Sequence, residues 1–141
     1  MSDDAEFLNA FEDGAITADE WNHRSHVRLA YAYLKRDGYE NALVRIRPNL
    51  VRQLERIGVS SALDLGYHET LTVAWMRLVH NAISAHGAQS DFETFCAEHP
   101  YLLTRKLIRA LYTRDRLVSW AAKREFVEPD LLQFTNVSFR G

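Results

Sequence analysis

Glu69-Thr70-Leu71-Thr72-Val73-Ala74-Trp75-Met76-Arg77-Leu78-Val79-His80-Asn81-Ala82-Ile83 is the stretch on which the fold turns. Leu71, Ala74, Trp75, Leu78, Val79, Ala82 and Ile83 recur at steps of three and four, which sets them on one face of an α-helix. The periodic region covers residues 67–86, the longest in the chain, and Gly87 offers the left-handed stop that ends many helices. The pattern predicts a central helix that needs other helices to cover it.

Those partners are legible on both sides. Upstream, Ala42, Leu43, Ile46, Leu50, Leu54 and Ile57 share a face over residues 40–57, with Gly58 following. Pro48 removes a hydrogen bond and crowds the Val44 carbonyl, predicting a kink or two shorter helices there. Before it, Thr17-Ala18-Asp19-Glu20 has the form of a capping box, in which Thr17 and Glu20 each satisfy a backbone N–H of the other. The helix it opens is expected to reach Asp37 and stop at Gly38, with His23, His26, Ala30, Tyr33 and Leu34 on one face. A short N-terminal helix within residues 1–16, capped by Ser2, carries Phe7, Leu8 and Phe11.

Downstream of the central helix, Ser90-Asp91-Phe92-Glu93 repeats the capping-box form and opens a short helix that Pro100 closes. Residues 101–112 and 113–123 read as two more helices, and residues 127–141 as an irregular tail. Strand signals are scarce. The prediction is an all-α fold: a single compact bundle of about six or seven helices in one domain over residues 1–141.

Bulk properties narrow the function classes. The 141 residues are 47% hydrophobic and 26% charged, the balance of an ordinary globular domain. Net charge is −2, from 17 basic and 19 acidic residues, which exerts no general pull on nucleic acid or anionic membrane. The basic series Arg45, Arg47, Arg52, Arg56, Arg105, Lys106, Arg109, Arg114 and Arg116 is interrupted by acids and reads as solvated faces. Cys96 is the lone cysteine, so no internal disulfide forms, and it reads as a small buried hydrophobe. Trp21, Trp75 and Trp120 stand at core-compatible positions. No run approaches the roughly 20 apolar residues that cross a bilayer, and Met1-Ser2-Asp3-Asp4 is unlike a signal peptide. A cytoplasmic address is the expectation. Phosphate loops, dinucleotide fingerprints and nucleophile elbows are missing from the sequence.

Polar chemistry concentrates in residues 21–28 and 67–72. His23 and His26, three apart, project from nearly the same helical face, and Glu20 one turn earlier makes Glu-x-x-His-x-x-His. His68 and Glu69, at the start of the central helix, can approach from across the bundle. His23, His26, His68 and Glu69 are therefore candidate ligands for a divalent metal (Zn, Fe, Mn or Ni), which favours imidazole with carboxylate. His68-Glu69-Thr70-Leu71-Thr72 is not a zinc-protease helix, because Thr72 replaces the second histidine. The chain has one Glu-x-x-His, short of a di-iron set.

Without a metal the cluster still makes a pocket. His26, His68 and Glu69 are then the candidate acid–base residues, and Arg28 with Tyr67 and Thr72 the candidate groups for a small anionic substrate. Two other readings stay open. The cluster can be a buried polar network that fixes helix register. The chain can also be a non-catalytic interaction or regulatory module, its third helical stretch and the apolar residues 131–139 facing a partner or a second copy.

Trp21-Asn22-His23-Arg24-Ser25-His26-Val27-Arg28-Leu29-Ala30 resembles the first signature of an uncharacterised bacterial family of small helical proteins. Tyr67-His68-Glu69-Thr70-Leu71-Thr72 looks like its second, and Phe126-Val127-Glu128-Pro129-Asp130-Leu131 is similar to its closing one. The likeness runs over residues 21–131. It implies a single domain with these segments acting as a unit, and it implies no activity.

Overall fold

A computed structural model describes residues 3–59, 66–87 and 91–137. Eight α-helices follow one another with no strand among the described residues: α1 (Asp3–Glu12), α2 (His23–Asp37), α3 (Tyr39–Arg56), α4 (Glu69–His86), α5 (Phe92–Glu98), α6 (Lys106–Leu111), α7 (Arg114–Leu117) and α8 (Trp120–Arg124). The all-α prediction holds. Ser2 and Ser90, named above as caps, lie outside the described residues, as do residues 60–65 between α3 and α4. At α5 it is Asp91 that caps, its side chain accepting from the Thr94 N–H at 2.7 Å.

The largest departure from expectation is at the start of α2. Thr17 and Glu20 do pair, the Glu20 carboxylate accepting from the Thr17 N–H at 3.0 Å. They close only a single 3-10 turn (Ala18–Glu20), after which Trp21 and Asn22 are extended. A second reciprocal box takes over: Asn22 Oδ1 accepts from the Ser25 N–H at 3.0 Å, and Ser25 Oγ accepts from the Asn22 N–H at 2.9 Å. Two boxes five residues apart cannot both head one continuous helix, because each needs an extended cap residue. Glu20 is therefore off the helix that carries His23 and His26, and the three-donor stripe does not form.

α2 is apolar nearly all round from Leu29 to Leu34, and those residues are buried. Such a helix belongs inside a bundle; α1, α3 and α4 pack against it. Gly38, at φ +79°, makes the abrupt turn from α2 into α3, a conformation that side-chain-bearing residues avoid. α3 runs unbroken through Pro48, so of the two outcomes expected there, a kink or two shorter helices, the division is absent. The buried apolar residues join in one cluster from Leu8 to Phe134.

The C-terminal third is more broken than its periodicity suggested. Residues 101–112 divide into a 3-10 turn (Pro100–Leu103) and α6, and residues 113–123 into α7 and most of α8. Side chains hold these pieces on the bundle. The Thr70 hydroxyl, fully buried on α4, sits 2.6 Å from the Ala122 carbonyl and accepts from the Val127 N–H at 3.1 Å. Tyr112 donates to the Val127 carbonyl at 2.7 Å, and Phe134 packs on Tyr112 and Phe126. Trp120, expected in the core, is 47% exposed, with Arg124 over its ring. Cys96 is buried, as expected. No described helix is long and apolar enough to cross a membrane.

Candidate functional site

α2 and α4 both begin beside one cavity of about 270 Å³. Asn22, His23 and His26 enter it from α2, and Tyr67, His68 and Thr72 from the start of α4. Leu50 and Leu54 of α3 face them, and Arg105 and Ile108 close the remaining side. Both polar segments singled out in the sequence thus meet at one place, although not every residue named there takes part.

The three histidines lining it differ in what their ring nitrogens do. His68 is the N-cap of α4: Nδ1 accepts from the Leu71 N–H at 3.1 Å, and Nε2 donates to the Leu117 carbonyl at 3.0 Å. An imidazole with one nitrogen accepting and the other donating is neutral with a fixed tautomer. Burial also pushes its pKa down. His68 has no lone pair left for a metal or a proton, which removes it as ligand and as base.

His23 donates from Nε2 to the Leu102 carbonyl at 2.9 Å and lies edge-on to Trp75, ring centres 4.5 Å apart. Its Nδ1 keeps a lone pair. Burial lowers its pKa, against the Leu102 carbonyl, which raises it, and Arg105 adds a smaller lowering. The His26 ring stacks on Trp21 at 5.9 Å, and neither of its nitrogens makes a hydrogen bond to a described residue. Burial, followed by the positive potential of His23 and Arg105, holds its pKa down at about 4. At neutral pH the cavity therefore presents two uncharged imidazoles, one oriented by a backbone carbonyl and one unpartnered.

Glu69 and Arg28 are not at the cavity. Adjacent residues on a helix point about 100° apart, and Glu69 turns from His68 towards Arg47, Oε2 lying 2.8 Å from the guanidinium. It also accepts from the Tyr67 hydroxyl at 2.5 Å. With His68 and Glu69 both committed, two of the four proposed ligands remain. Among the described residues no group of three or more His, Cys, Asp or Glu could hold a metal ion. Arg28, two residues beyond His26, projects about 200° round the helix. It stacks over Phe7 at 4.4 Å and lies 5.9 Å from Phe92, and so cannot anchor a ligand beside His26.

Tyr67 and Thr72 do line the cavity. Their hydroxyl protons are directed to Glu69 and, at 3.0 Å, to the His68 carbonyl, which leaves their oxygens as acceptors. Lys123 donates to the Tyr67 carbonyl at 2.9 Å and helps fix this approach to α4.

Arg105 is the residue the sequence reading missed, having been grouped with the solvated basic series. Its exposed guanidinium makes no ion pair or hydrogen bond with a described residue, yet it lines the cavity. Among the described residues no Asp or Glu lines it. A wider depression of about 760 Å³ between α1 and α3 is open; in it Arg45 pairs with Glu12, and Arg52 donates to the neutral Asn49 amide oxygen.

Comparison with family models, with curated proteins and with solved structures finds no match to this chain.

Proposed function

We propose that this all-α protein binds a small anionic molecule in the cavity between the starts of α2 and α4. Arg105 is the anchor, in place of Arg28, and His23 and His26 are the neutral groups that meet the ligand. The observation that carries this reading is the unpartnered His26 imidazole beside an unpaired guanidinium in a cavity with no carboxylate among its described lining residues. Buried polar groups are normally satisfied, so an imidazole left open towards a cavity is a ready partner for something that enters it. Both helix N-termini add positive potential there.

His23 has the arrangement of an acid–base group, one nitrogen fixed by a carbonyl and the other free. A pKa near 4 makes His26 a poor base at neutral pH and suits it to hydrogen bonding, until a bound anion raises its proton affinity. Binding is therefore the primary proposal, with proton transfer available at His23. The interaction-module reading keeps one observation in its favour: Leu131 and Leu132 stand 53% and 45% exposed.

Thermal melts of the whole chain with a panel of small organic anions, cations and neutral compounds test the proposal. A ligand at about 100 times its Kd stabilises the native state by about 2.7 kcal/mol, or a few degrees for a domain of this size. Anions should raise the melting temperature of the wild type and not of His26→Ala. A panel in which no anion stabilises the wild type contradicts it.

A further inference from the structure

The charge and wall chemistry of the cavity narrow the ligand further. Among the described residues lining it, Arg105 is the one whose charge is permanent, and none of them is acidic to offset that charge. His68 cannot add a second, because protonating Nδ1 would break the cap on the Leu71 N–H. One fixed positive charge, assisted by two helix N-termini of 15 and 18 residues, matches a monoanion. A dianion would leave charge uncompensated in a half-enclosed space.

The guanidinium fork presents two parallel N–H donors, a geometry that fits a carboxylate. The other walls include Leu50, Leu54, Leu71, Trp75 and Ile108, whose side chains offer water no hydrogen bond apart from the indole N–H. A bare inorganic anion would leave that surface wet, whereas an apolar body covers it. At about 270 Å³ the space falls just below the range of pockets for drug-sized ligands.

We infer that the cavity takes a monocarboxylate with a compact apolar body, its carboxylate on Arg105 and its body against Leu50, Leu54 and Leu71. This rests on the anion-binding reading above. The ligand class includes small aromatic and branched aliphatic acids and excludes phosphate esters and amines.

Calorimetric titration of the full chain with benzoate, benzamide, acetate and inorganic phosphate tests it. Benzamide keeps the shape and removes the charge, acetate keeps the charge and removes the body, and phosphate adds charge. Benzoate should bind roughly tenfold or more tighter than each of the others. Arg105→Gln should lower benzoate affinity to that of benzamide and leave benzamide unchanged. Because Arg105 is exposed and unpaired, the variant should melt with the wild type. Acetate or phosphate binding as tightly as benzoate overturns the inference and leaves the anion reading standing. Benzamide binding as tightly as benzoate overturns both. If none of the four binds, the inference fails, and the melting panel alone then decides the broader reading.

Discussion

Nε2 of His23 stands 2.9 Å from the carbonyl oxygen of Leu102, a contact that reaches across 79 residues of sequence. It joins the first residue of α2 to the 3-10 turn before Arg105. One helical turn on, His26 makes no such contact. The pair therefore divides into a histidine that holds the fold and one that the fold leaves open. His23→Ala should cost about 1–3 kcal/mol, because it strands the Leu102 carbonyl. His26→Ala strands nothing and loses its stacking on Trp21, about 1 kcal/mol. Urea denaturation of the two variants checks the order, and a larger loss for His26→Ala would contradict this division.

The depressed histidines give stability a pH dependence of definite sign. His26 titrates near its ordinary 6.5 in the unfolded chain and at about 4 when folded. Between those values the unfolded state binds more protons, so stability is complete above pH 6.5 and falls as pH drops towards 4. The loss is at most roughly 3 kcal/mol, reduced by whatever solvent reaches the ring. His23 and His68 shift in the same direction and reinforce it. Glu12, held below its ordinary range mainly by the hydrogen bond from Arg45, adds a further loss at still lower pH. Unfolding free energies measured from pH 7 to pH 4 should decline throughout the window; a flat profile would show the imidazoles to be solvated.

Thr70 makes the tightest test of the C-terminal packing. Its hydroxyl serves the Ala122 carbonyl and the Val127 N–H from a fully buried position. Thr70→Val keeps the shape, removes both contacts and should cost about 2–3 kcal/mol. The denaturation midpoint should fall with the slope unchanged, since the same surface is exposed on unfolding. An unaltered midpoint would mean that residues 122–127 are not anchored to α4.

Much of this was legible locally. Gly38 and Gly87 and the periodicity of residues 69–83 are short-range signals, and each marks an element boundary or face that the structure contains. The break at Trp21 was harder, because the Asn22–Ser25 box competes with the Thr17–Glu20 box and sequence alone does not rank them. Arg28 was excluded in principle by its spacing, two residues from His26 and so on the far side of the helix. Arg105 was not legible: nothing local separates it from Arg109 or Arg114, and its place at the cavity depends on how α6 meets α2 and α4. His68 likewise resembles a ligand until the distant Leu117 carbonyl is seen to occupy its second nitrogen.

Side-chain NMR of histidine-labelled protein, titrated with benzoate at neutral pH, tests the central claim most directly. The ring signals of His26 and His23 should move together and saturate, while those of His80 and His99, away from the cavity, should stay in place. His26 should also begin to titrate at higher pH once the anion is bound, since a nearby negative charge favours the imidazolium. Histidine signals that ignore benzoate, or that all drift alike without saturating, would contradict a binding site at His26 and Arg105.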